Sequence, residues 1–320
     1  MERILTFTVK NTETISTVGD FLHVRIGLTH KQISRAKFLP AGICKNGTRC
    51  RITEKIYPND IISICLEDNQ KDSAHLISPD SSFYLDILYE DSDLLAVNKP
   101  SGILTHPSGV HYADSLANHV AAYFRQKGEF VRIRPIGRLD KDTSGIVLFA
   151  KNQTAAQRLQ YQREQHLFQK EYLALLNGFL PQDDDTVWHQ ISLPITKKSD
   201  HPLKMQTLSK NWPPSETLNA LSAITNYRVL YSESNWSAAT LRLDTGRTHQ
   251  IRVHMASLGH PLLGDPLYNS APKKYSFSRA ALHAWKVTFQ QPFSEDIISL
   301  HAPFPEDFCC FTDFLDAKLY

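Results

Sequence analysis

The stretch Gly137-Arg138-Leu139-Asp140-Lys141-Asp142-Thr143-Ser144-Gly145 sets two carboxylates two positions apart between two glycines, then runs into the apolar sequence Ile146-Val147-Leu148-Phe149-Ala150. Six of its nine side chains are charged or carry a hydroxyl, which does not suit a core. Asx-type hydrogen bonds could close such a loop as a purely structural turn. D-x-D-x-S-G from Asp140 to Gly145 also matches the opening of a calcium-binding EF-hand loop. The twelfth position of that loop, a bidentate Glu, is here Lys151, and the segment enters a strand instead of a helix. An aspartyl phosphatase loop of the D-x-D-x-T kind follows a buried apolar strand, whereas Arg134-Pro135-Ile136 precede this one and Ser144 takes the last place. No metal site is expected.

Around this loop the chain of 320 residues is 42% apolar and 21% charged, a globular composition with enough material for more than one domain. No apolar run approaches the roughly 20 residues of a membrane span, and the first residues lack the pattern of a signal peptide. The five cysteines are odd in number and form no C-x-x-C pair, so free thiols in a reducing cytoplasm are expected. The net charge is only +2, yet seven bases and no acid lie between Leu22 and Thr53. Such a one-sign field attracts a polyanion.

Residues 1–66 form a first domain in this reading. Val18, Phe21, Leu22 and Ile26 fall at helical spacing, and Thr29 caps a second helix that ends by Gly42. Lys45-Asn46-Gly47 marks a hairpin, and Pro58-Asn59-Asp60 turns into a strand over Ile61–Leu66. Residues 67–83, polar and carrying Pro and Ser, read as a flexible linker. From 84 to 320 the pattern predicts one larger unit with strands at Tyr84–Tyr89, Leu94–Asn98, Ile146–Ala150, Glu171–Leu176 and Ala239–Leu243, a helix over Gln153–Gln165, and a long surface excursion at Pro202–Pro214. Strands outnumber helices without regular alternation, which favours an α+β fold over a doubly wound sheet. No dinucleotide or P-loop fingerprint occurs.

Two short helices, a hairpin carrying Lys45-Asn46-Gly47 and a Pro58-Asn59-Asp60 turn resemble the S4-type RNA-binding module, although Pro40 interrupts its second helix. The resemblance implies a small α/β domain in which Lys31, Arg35, Lys37, Lys45 and Arg49 meet RNA phosphates.

Five further stretches fall in one order and spacing: NKPSGILTHPSG at 98–109, GRLDKDTSG at 137–145, QKEYLALLNG at 169–178, GRTHQIRVHMASLGHPLLGDPLY at 246–268 and LHAWKVTF at 282–289. Together they resemble the RluA-type pseudouridine synthases over about two-thirds of the chain. The resemblance implies a catalytic domain with a mixed, mainly antiparallel sheet, no cofactor, RNA as partner (ribosomal RNA first, transfer RNA as the alternative) and no obligate protein partner. It implies that Asp140 is catalytic, that Tyr172 of Lys170-Glu171-Tyr172 stacks on the target uracil, and that Arg252 pairs with Asp140. Arg138 would help displace the base, with Arg247 and His249 near the RNA. Gly137 departs from the His that many members carry there. Asp142, Thr143 and Ser144 are then expected to shape the loop, and Gly264-Asp265-Pro266 to form a turn. His249 and His254, five apart, do not face one metal ion. The rival expectation is a non-catalytic RNA-binding protein on the same scaffold.

The chemistry suits such roles. Turning uridine into its C-glycoside breaks N1–C1′ and joins C5 to C1′, with no net oxidation. One ionised carboxylate can act as nucleophile or as general base. A base inside folded RNA must first be turned out of its stack.

Overall fold

A computed structural model of the chain describes residues 2–11, 16–67, 83–129, 131–184, 186–208, 219–270, 277–294 and 296–311, with Leu76 and Pro79. Most of the expected linker and the end of the Pro202–Pro214 excursion lie outside these residues. Leu76, within the linker, is 5% exposed and belongs to the same apolar cluster as Phe124, so at that point the segment is fastened to the larger unit.

A ten-stranded sheet organises that unit. Its strands run in the spatial order His189–Ser192, Ile224–Glu233, Trp236–Leu243, Gln169–Asn177, Leu282–Gln290, Ser144–Ala150, Leu94–Lys99 and Ile87–Glu90. Ile297–His301 adds to Leu282–Gln290, and Arg134–Pro135 to Ser144–Ala150. The pairings are antiparallel except that between Leu282–Gln290 and Ser144–Ala150, so the sheet is mixed and mainly antiparallel. Leu94–Lys99 and Ser144–Ala150 are nearly continuous apolar runs because both faces are covered. Leu95, Val97, Val147 and Phe149 pack on Leu116, Val120 and Phe124 of the helix Leu116–Gln126. Their alternates Leu94, Ala96, Ile146 and Leu148 pack on Ala155 and Leu159 of the helix Gln153–Glu164. Each buried Leu or Phe in these layers contributes on the order of 2 kcal/mol.

The basic N-terminal stretch builds a separate four-stranded sheet, in the order Glu2–Thr8, Ile61–Glu67, Ile43–Lys45 and Thr48–Arg49. The strand Glu2–Thr8 is not anticipated by the sequence reading. Its partner lies more than fifty residues along the chain, and no turn announces it. Val18, Phe21, Leu22 and Ile26 are buried as their spacing predicts, although the helix passes from Val18–Asp20 into a π-helical turn, Phe21–Arg25. Thr29 and Gln32 form a capping box at the start of His30–Ala36. Asn46 and Gly47 both have positive φ, 50° and 79°, as a two-residue hairpin turn requires. Arg158, on the Gln153–Glu164 helix, joins the two sheets. Its guanidinium donates to the Ile26 and Pro292 carbonyls and lies over the rings of Phe7 and Phe293. Gln32 Nε2 adds a hydrogen bond to Thr154 Oγ1 at 2.9 Å.

Gly145 ends the opening loop with φ of 110°, and a Cβ there would meet the Ala284 carbonyl oxygen at 2.3 Å. Gly145→Ala should therefore lower unfolding stability by about 3 kcal/mol, measured by denaturant titration. Next to it, Ser144 Oγ lies 2.9 Å from Nδ1 of the buried His283, whose pKa falls from 6.5 to about 4 because burial and the Arg279 charge disfavour its cation. The unfolded chain then binds the extra proton between these values. His283 should accordingly cost the fold about 3 kcal/mol as pH drops from about 6.5 to about 4. A His283→Gln variant should show a flatter acid limb in pH-dependent unfolding.

Candidate active site

The loop 137–143 is held chiefly by its backbone. Thr105 Oγ1 donates to the Leu139 carbonyl and accepts from the Leu139 N–H, both at 3.0 Å. The Asp140 carbonyl accepts from Thr143 N at 3.1 Å. The Lys141 carbonyl accepts from Gly102 N and from Lys99 Nζ. Arg279 Nη1 reaches the Asp142 carbonyl at 3.0 Å. Four successive carbonyls are thus bonded, which leaves the Asp140 side chain on a fixed support.

Lys99 is fully buried and gives its three N–H bonds to the carbonyls of Pro100, Ile103 and Lys141. Burial lowers its pKa to about 7, against the pull of Asp142 and Asp140. Arg279 is fixed in turn by a two-point pair with Asp307, at 2.6 and 2.8 Å.

Asp140 faces a cavity of about 410 Å³ whose lining also includes Arg138, Tyr172, Arg247, His249 and Arg252. All six residues assigned to the site from the sequence therefore meet at one cavity. Tyr172 lies on the strand Gln169–Asn177, in register with Leu241, and is 8% exposed. Burial, and then the charge of Asp140, push its hydroxyl pKa up, so the ring stays neutral. Two places before it, the Lys170 ammonium is turned to the Ile146 carbonyl at 2.9 Å, and burial lowers its pKa to about 7.

The opposite wall is the segment 244–252. Gln250 is 2% exposed; it accepts from Arg247 N and Thr245 Oγ1 and donates to Ile224 O and Thr225 Oγ1. That network brings His249, in the left-handed region at φ 55°, to the start of the helix Gln250–Ser257. His249 Nδ1 lies 3.1 Å from the Tyr268 hydroxyl, and burial with the Arg252 charge lowers its pKa. Arg138 is exposed and donates from Nη2 to Thr248 Oγ1 at 2.8 Å. Arg247 is exposed and donates from Nε to the Ser222 carbonyl.

Arg252 corrects one expectation. Its guanidinium forms a two-point pair with Asp265, from Nε and Nη2 at 2.7 Å each, and not with Asp140. The two residues are 3% and 1% exposed. Burial alone would lower the Arg252 pKa; the hydrogen bonds and charge of Asp265, with the charge of Asp140 behind them, raise it. Arg252 is therefore a permanent cation that acts on Asp140 through space. Asp265 is likewise more than a turn residue: it also accepts from the N–H groups of Leu267 and Tyr268.

The basic residues of the N-terminal sheet do not line this cavity. Lys31, Arg35 and Lys37 are exposed. Lys45 pairs with Asp60 at 3.0 Å and Arg49 donates to the Lys37 carbonyl, so both are partly engaged within the protein. Missed from the sequence were Lys99, Thr105, Gln250, Asp265 and Arg279. The first four lie in quoted motifs without an evident task, and Arg279 lies in none. Among the described residues no group of acidic, His or Cys side chains could hold a metal ion, and no helix is long and apolar enough to cross a membrane.

Comparison with known proteins places these residues in a family. The family described as RNA pseudouridylate synthase matches residues 93–257. The "Uncharacterized RNA pseudouridine synthase YhcT" of Bacillus subtilis is 39% identical over 242 residues, 75% of each chain. "Ribosomal large subunit pseudouridine synthase D" of Haemophilus ducreyi is 34% identical over 236 residues, covering 70% of this chain and 68% of that one. Among solved structures, "Human RNA Pseudouridylate Synthase Domain Containing 1" aligns with TM-score 0.53 and 27% identity over 72% of this chain and 87% of the other.

Thr105 offers a test of the loop support that leaves every cavity residue in place. Thr105→Val strips both hydrogen bonds from Leu139 while preserving shape. Turnover should fall on the order of a hundredfold, with stability reduced by about 2 kcal/mol. Steady-state kinetics and thermal melts on the same preparation would report the two effects separately.

Proposed function

The chain belongs to the RNA pseudouridylate synthase family and is an RNA pseudouridine synthase, an isomerase; from that premise we propose that it modifies large-subunit ribosomal RNA in the cytoplasm, with Asp140 as its catalytic carboxylate. The observation that carries the assignment of Asp140 is its position: a half-buried acid on an anchored backbone, in one cavity with Tyr172 and Arg252. Asp142, by contrast, is absent from the cavity lining, and its backbone carbonyl is tied to Arg279. The ribosomal target is supported by relatives named ribosomal large subunit pseudouridine synthase D. It is supported further by the exposed Lys31, Arg35 and Lys37 on an N-terminal unit that we read as an S4-like RNA-binding module.

In this reading the uridine is turned out of its stack into the cavity, at a cost of a few kcal/mol. Arg138, held by Thr248 at the rim, takes the space the base leaves. The Tyr172 ring stacks on the uracil, contributing about 1–3 kcal/mol. Asp140 then attacks as nucleophile or acts as general base while the N1–C1′ bond breaks. The base rotates, C5 joins C1′, the C5 proton leaves and N1 takes one up. Substrate and product have the same atoms and oxidation level. Arg252, kept charged by Asp265, places a fixed cation at the cavity wall and leaves the oxygens of Asp140 unoccupied.

A carbodiimide-based pseudouridine map of RNA from a deletion strain should lose one or more large-subunit sites. Asp140→Asn should leave them unmodified while RNA binding is retained, and Asp142→Ala should restore substantial modification. Equal loss from both carboxylate variants would overturn the assignment of Asp140, and lost sites confined to transfer RNA would overturn the ribosomal target.

A further inference from the structure

A second cavity of about 250 Å³ lies beside the first, and the two share His166, Phe168, Lys170, Leu243 and Asp244. Once a base has been turned into the first cavity, its neighbours along the strand must pass over the rim. The second cavity offers them a prepared wall made by Trp188, Asn226 and Arg242. Trp188 is half-buried just ahead of the strand His189–Ser192. The Arg242 guanidinium lies 4.4 Å from the centroid of its ring and that of Arg228 lies 5.4 Å away. Cations at these distances hold an indole in place. Arg242 is itself fixed by Glu171, at 2.8 Å, the residue immediately before Tyr172. Its Nε is buried without a hydrogen-bond partner among the described residues. An aromatic plate with a fixed guanidinium against it fits a nucleotide, because every base has a π-face and an Arg plane stacks as an aromatic does. The isomerisation itself leaves this wall without a task.

We propose that the second cavity is a subsite for a nucleotide flanking the target uridine, whose base stacks on the Trp188–Arg242 pair and whose phosphate meets Arg242. The inference rests on the pseudouridine synthase reading and deepens it, since such a subsite would select sequence or loop shape beside the target. The probe is a short RNA carrying the mapped target site, with an abasic residue at either neighbouring position as the comparison. Trp188→Ala should raise KM for the intact RNA about tenfold, with kcat changed far less, and Trp188→Phe should recover most of the loss. In the wild type, one of the two abasic RNAs should reproduce that rise, and it should add nothing further in Trp188→Ala. Equal KM for wild type and Trp188→Ala, or abasic effects that multiply with the substitution, would overturn the subsite alone. Wild-type protein that forms no pseudouridine in any RNA would defeat the underlying reading and the subsite with it.

Discussion

The whole site depends on backbone anchoring of one loop. Leu139, Asp140, Lys141 and Asp142 each have a bonded carbonyl, and the donors come from Thr105, from within the loop, from Lys99 with Gly102, and from Arg279. A carboxylate on an exposed loop would sample many rotamers and backbone states. Here the backbone below Asp140 has little freedom left, so only its side-chain torsions remain free. Gly145 sets the other end of the loop, because only a residue without Cβ can approach the Ala284 backbone so closely. The parallel pairing between Ser144–Ala150 and Leu282–Gln290 creates that approach.

Charge placement follows the same logic. Arg252 and Asp265 form a buried pair with both components almost wholly excluded from water. Such pairs contribute little net stability, because desolvation offsets their attraction. What the pair does provide is a cation of fixed position and permanent charge at the cavity wall. Because Arg252 bonds to Asp265 and not to Asp140, the carboxylate of Asp140 is left open to the cavity. Gln250 plays the neutral counterpart, spending its amide on four contacts that set the turn between Thr245 and His249.

Much of the fold was legible along the chain wherever a local rule was enough. The apolar run after Gly145, the capped helix at Thr29, the Asn46-Gly47 turn and the helix over Gln153–Glu164 each follow from adjacent residues. Glu2–Thr8 was illegible because a strand of modest alternation is specified by its partner, and that partner is Ile61–Glu67. The basic run near the N-terminus was legible as charge, but Asp60 folds back onto Lys45 and removes part of it.

By itself the sequence determined where the spaced motifs lie, and their resemblance to a known family is what singled out Asp140, Tyr172 and Arg252. It also determined the alternating faces of the central strands, because burial on both sides requires continuous apolar runs. Only the tertiary structure decided what each charge is paired with. The Arg252–Asp265 pair spans thirteen residues, Lys99 reaches Lys141, and Arg279 reaches Asp142 across most of the larger unit. Hydrogen bonds and ion pairs are satisfied by proximity in space, and only the folded chain sets that proximity.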